Sequence, residues 1–80
     1  MTETIEATEF FITSDLNQAA FVLALNHPLL RVEGERGERH HFYFPMSARE
    51  DALTFFAGGM IRARTFSSAL RDLKALIHGR

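Results

Sequence analysis

The order of apolar patterns in this 80-residue chain predicts an α+β domain: a small ferredoxin-like β-α-β-β-α-β antiparallel sheet with helices on one face, plus an extra C-terminal helix. Three observations lead there. Period-two apolar runs occur at "TEFFITS" and "RHHFYFP", helical-period stripes separate and follow them, and glycine or proline punctuates each junction. A three-stranded sheet with three helices is the alternative, and the choice turns on whether residues 60–64 form a fourth strand. The length sets one domain, residues 8–80, behind a disordered N-terminal segment at 1–7.

The first strand is "TEFFITS", whose alternation puts Phe10 and Ile12 on one face and Phe11 and Thr13 on the other. A helix follows, with Ser14 or Asp15 as its cap and Gln18 three residues after Asp15 in capping-box spacing. Leu16, Ala19, Ala20 and Leu23 make its stripe, and Phe21, Val22 and Leu25 widen it to a helix buried on most sides. Asn26 suits the left-handed residue after a helix, and Pro28 cannot continue one. Leu29–Glu33 and Arg39–Phe44 then read as a hairpin whose loop holds Gly34 and Gly37.

Ser47 and Glu50 match a second capping box, and Gly58-Gly59 closes the helix they open, with Ala48, Ala52, Phe55 and Phe56 as its core stripe. "MIRAR" alternates, with Ile61 and Ala63 opposite Arg62 and Arg64, as a short charged edge strand would. Thr65 is placed to cap a last helix in which Phe66, Ala69, Leu70, Leu73 and Ile77 keep helical spacing and Gly79 marks the end.

Composition removes several function classes. There is no cysteine, so disulfides and thiolate metal sites are excluded. The N-terminus is acidic where a signal peptide needs basic and apolar residues, and no apolar run approaches a membrane span, so the expected location is the cytoplasm with no membrane partner. Net charge is −1, unevenly spread: through residue 40 seven acids face three arginines, and afterwards six bases face three acids. Such asymmetry favours self-association or an anionic partner for the C-terminal part.

In the ferredoxin-like order the first and third strands lie side by side. On that reading Phe10, Ile12, Phe42 and Phe44 face the helices, while Phe11, His41 and Tyr43 emerge on the open face and need a cover. Three covers compete. The last helix folds back across them, a second chain forms a homodimer there, or nucleic-acid bases stack on Phe11 and Tyr43 with Arg39, Arg62 and Arg64 taking the phosphates. The RNA-recognition consensus is poorly met, because His40 and His41 stand where its glycine and first aromatic would be.

Neighbouring His40 and His41 point to opposite faces of a strand, and His27 and His78 sit at helix ends, so no metal site is expected. Ser14, Ser47, Thr65 and Ser67 are all accounted for by helix starts, and no phosphate-binding glycine pattern opens a helix. The expectation is therefore no enzyme and no cofactor.

Ser14-Asp15-Leu16, Ala19-Ala20, His27 and Leu29-Leu30, followed by an aromatic strand and the terminal "LRDLKALI", form a pattern over most of the chain. It resembles a family of short bacterial and phage proteins catalogued only as a domain of unknown function. Asn26 stands where that family more often has glycine. The resemblance implies a bacterial or mobile-element origin and carries over no catalytic residue. The function expected is a small non-enzymatic, protein-binding module, homodimeric, with single-stranded nucleic-acid binding as the alternative. Its candidate interaction surface is Phe11, Arg39, His41, Tyr43, Arg62 and Arg64.

Overall fold

The computed structural model describes residues 9–35 and 37–78. They form β1 (Phe10–Thr13), α1 (Leu16–Ala24), β2 (Arg31–Glu33), β3 (His41–Pro45), a 3-10 turn (Met46–Ala48), α2 (Arg49–Phe56) and α3 (Ala63–His78). The sheet is antiparallel throughout with β3 in the middle, in the order β1-β3-β2. This is the α+β alternative of three strands and three helices. The disordered segment expected at 1–7 and the helix end expected at Gly79 lie outside the described residues.

Residues 60–64 do not add a fourth strand. The Arg62 carbonyl already accepts the Phe66 amide at 3.0 Å, so the chain is coiling into α3 where the alternation suggested extension. Ala63 and Arg64 are good helix formers, and α3 takes both into its first turn. For the same reason Thr65 lies inside α3 rather than capping it.

The capping of α1 is more elaborate than the capping-box spacing implies. Asp15 Oδ1 accepts the Gln18 amide at 3.0 Å, the expected half of the box. The other half comes from Thr13, whose Oγ1 accepts the Asp15 amide at 3.1 Å and donates to Gln18 Oε1 at 2.6 Å. Gln18 Nε2 then donates to the Ala52 carbonyl at 2.9 Å. This buried polar relay ties β1, α1 and α2 together, and it explains how Thr13 and Gln18 are buried without an unpaired group.

Both of the first two helices end in the same device. After α1 the His27 amide donates to the Val22 carbonyl and the Asn26 amide to the Leu23 carbonyl, with Asn26 at φ 74°. After α2 the Gly59 and Gly58 amides repeat this on Thr54 and Phe55, with Gly58 at φ 83°. Gly59 is needed for space: a Cβ there would stand 2.7 Å from Phe21 Cζ and 2.9 Å from the Thr54 carbonyl. The start of α2 departs from expectation. Ser47 and Glu50 make no capping box, because Pro45 turns the chain into the 3-10 turn and that turn feeds the helix directly.

One core joins all layers. Phe42 and Phe44 from β3 meet Ala19, Ala20 and Val22 of α1, Ala48, Ala52 of α2, and Ala69 and Leu73 of α3. Burying Leu73 completely stabilises the fold by about 1.5–3 kcal/mol. The small residues of α1 and α2 let the helices approach closely, and α3 lays the expected stripe of Phe66, Ala69, Leu70, Leu73 and Ile77 against this core. Phe56, expected in the α2 stripe, is 67% exposed; Phe55 turns in towards Phe21 instead, with ring centroids 5.6 Å apart.

Candidate interaction surface

The register of β1 settles which of its side chains reach the open face. Phe11 pairs with Phe44 and Thr13 with Phe42, both core positions, whereas Phe10 lies opposite Pro45 and Ile12 opposite Tyr43. The expected orientation of β1 is therefore inverted: Phe11 packs towards the core, and Phe10 and Ile12 take the open face. The reason is Thr13. A polar residue in an otherwise apolar strand reads as outward-facing, but here its hydroxyl is satisfied inside by Gln18.

Tyr43 and His41 are on the open face as expected; His41 is exposed, and the cover of Tyr43 comes from within the sheet. Arg31, cross-strand from Tyr43, lays its guanidinium 4.3 Å from the Tyr43 ring centroid and 6.0 Å from that of Phe10. Phe10 meets Tyr43 edge-to-face at 5.7 Å. Glu33 holds the arrangement: Oε2 pairs with Arg31 Nε at 3.2 Å, and Oε1 accepts the Tyr43 hydroxyl at 2.9 Å. The last helix does not cross this face. It packs against α1, on the helical side of the sheet.

Of the six candidate residues, then, the structure groups Tyr43 and His41 on the open face and separates the rest. Phe11 faces inward. Arg62 and Arg64 stand at the start of α3, in the helical layer, so the cation at Tyr43 is Arg31. Arg39 reaches the end of β1, where Nη1 donates to Ser14 Oγ at 3.3 Å. Arg31 and Glu33 were missed by the sequence reading. The alternation of "LRVE" signals them, since Val32 inside requires both charges outside, but their partner across the hairpin becomes visible only with the register.

An open cleft of about 430 Å³ lies between the β1–α1 junction, the start of β3 and the end of α3, lined among others by Ser14, Asp15, Arg39, His40 and Ile77. Its serine hydroxyl accepts from an arginine and pairs with no base among the described residues, so the cleft holds no activated nucleophile there. Among the described residues no group of three histidine, aspartate or glutamate side chains could hold a metal ion. His27 is engaged elsewhere, with Nε2 2.7 Å from Asp51 Oδ2, joining the end of α1 to the first turn of α2. No helix among the described residues is long and apolar enough to cross a membrane.

A second exposed surface lies on α2 and the turn after it. Leu53 is 48%, Phe56 67% and Met60 91% exposed, all within eight residues of chain.

No protein-family model, curated protein or solved structure significantly matches the chain.

Proposed function

We propose that this chain is a non-enzymatic protein-interaction module, of bacterial or phage origin, that acts as a homodimer in the cytoplasm. The observation that carries the reading is the contrast between a closed interior and an exterior that keeps Leu53, Phe56 and Met60 in solvent. Large apolar side chains clustered on one short stretch mark a protein contact more often than a ligand site, because removing them from water is what drives association. Small size adds to the argument, since a domain of this length gains stability from any surface that a partner covers. The resemblance to short bacterial and phage proteins supports the origin.

Stacking of single-stranded nucleic acid on Tyr43 is the less favoured reading, because a base would first have to displace Arg31 from the ring.

The reading is tested by sedimentation over a wide concentration range, together with retention of host proteins on the immobilised chain. A Phe56→Ser, Met60→Ser double variant serves as the control, since both side chains are exposed and their loss leaves the core intact. A strictly monomeric chain that retains nothing the variant fails to retain would defeat the proposal.

A further inference from the structure

We propose that two copies of this chain join edge to edge through β1, antiparallel about a two-fold axis at Phe11, so that the two three-stranded sheets become one continuous sheet. This rests on the homodimer reading above and assigns the self-association to the β1 edge, leaving the exposed Leu53, Phe56 and Met60 to the protein partner.

The first support is the backbone. Among the described residues β1 has a neighbour on one side only, β3. The Met46 amide donates to the Glu9 carbonyl at 3.2 Å, which makes Glu9 and Met46 a hydrogen-bonded pair. Antiparallel pairs alternate, so Phe10 opposite Pro45 is a non-hydrogen-bonded pair, Phe11 opposite Phe44 a bonded one, and Ile12 opposite Tyr43 again non-bonded. Pro45, which has no amide hydrogen, sits where none is needed. It follows that the amide and carbonyl groups of Phe10 and Ile12 point away from β3. With Phe11 on a two-fold axis, Phe10 of each copy stands opposite Ile12 of the other, and every one of those outward groups finds a partner.

The second support is the difference between the two sheet edges. Residues 10–13 carry no charge and no proline, the devices by which edge strands avoid pairing, whereas β2 carries Arg31 and Glu33. Pairing β1 with itself opposes no like charges. It also places Ile12, 42% exposed, against the second copy's Phe10 on the outer face, and brings the two Phe11 rings together at the axis beside the core.

The third support is charge at the strand ends. Glu9 immediately precedes β1 and is exposed; Ser14 follows its end and accepts from Arg39. In the antiparallel register Glu9 of each copy lies opposite the second copy's Thr13, beside that copy's Arg39. Two reciprocal acid–arginine contacts then close the ends of the seam. Within one chain the run from Glu9 to Ser14 spans about 16 Å of strand, too far for the same pair to form internally.

The test is sedimentation equilibrium on the full chain and four variants: Ile12→Pro, Glu9→Arg, Arg39→Glu and the double reversal Glu9→Arg, Arg39→Glu. Proline at 12 removes an outward amide without breaking the β1–β3 ladder, which circular dichroism checks. The expected result is a reversible wild-type dimer, a dissociation constant raised about tenfold or more by Ile12→Pro and by each single reversal, and recovery in the double reversal. Should Ile12→Pro fail to fold, the three charge variants decide alone. A wild-type dimer that all four variants leave unchanged overturns the β1 edge while keeping the homodimer reading. A wild-type chain that is monomeric throughout overturns both.

Discussion

Replacing Gln18 by leucine keeps nearly the same volume but removes the centre of the relay from Thr13 to Ala52. Two hydrogen bonds disappear, at 2.6 and 2.9 Å, and the losses at their ends differ. The Ala52 carbonyl lies in a helix and retains its backbone partner, so that end costs about 1 kcal/mol. The Thr13 hydroxyl is buried and loses its only acceptor, at about 1–3 kcal/mol. The sum is about 2–4 kcal/mol, against a total stability of about 4–12 kcal/mol for a domain of this length. Urea denaturation followed by circular dichroism measures it. The companion variant is Thr13→Val, and the double variant closes the cycle: with both partners apolar, the penalty for stranding either one is not incurred twice, so the two single losses should exceed the double loss by about 1–2 kcal/mol. A Gln18→Leu cost below about 0.5 kcal/mol, or strict additivity with Thr13→Val, would refute the relay as a stabilising unit.

Three further outcomes follow from the same geometry. Gly59→Ala should destabilise by about 1–3 kcal/mol through collision with Phe21, and cost less in a Phe21→Leu background, whereas Gly58→Ala, with open space around it, should cost about 1–2 kcal/mol for its left-handed φ alone in either background; thermal melts of the four combinations distinguish the two mechanisms. Asp51→Ala releases His27 from a half-exposed carboxylate and should lower stability by less than about 1 kcal/mol, read from the denaturation midpoint. Tyr43 is the sole tyrosine and there is no tryptophan, so intrinsic emission reports on the Arg31-capped ring; titration with single-stranded oligonucleotides should produce no saturable, salt-sensitive quenching, and such quenching would restore the base-stacking reading.

The sequence made the start of α1, the ends of α1 and α2 and the stripe of α3 legible because those signals are local, whereas the caps expected at Ser47 and Thr65 and the inward Phe56 of α2 were not realised. Asp15 before Leu16, Asn26 before His27-Pro28 and Gly58-Gly59 each act on backbone groups a few residues away, and the structure uses all of them. The face of β1 was illegible for the opposite reason. In "FFIT" either parity gives a plausible apolar face, and the deciding term is a hydrogen bond from Thr13 to a side chain on another element. The short alternation of 60–64 misled in a related way, since so few residues fit a strand and the first turn of a helix equally well. Of the candidate surface, His41 and Tyr43 were placed correctly by the period of β3 alone; Arg31 required the hairpin register, which no single strand contains.

The central position of β3 has a consequence for synthesis. Among the described residues β1 and β2 each pair only with β3, so neither has a sheet partner until residues 41–45 have been made. At ribosomal rates of about 5–20 residues per second, the uncharged strand "FFIT" waits about 2–6 s between its own completion and that of β3. Leu73, which fills the centre of the core, arrives later still. During that interval the strand has both edges open rather than one, and the nascent chain is more vulnerable to mispairing than the finished fold. Chaperone dependence or loss to aggregates should therefore respond to charge introduced at Ile12, on the outer face, even where the folded protein tolerates it without loss.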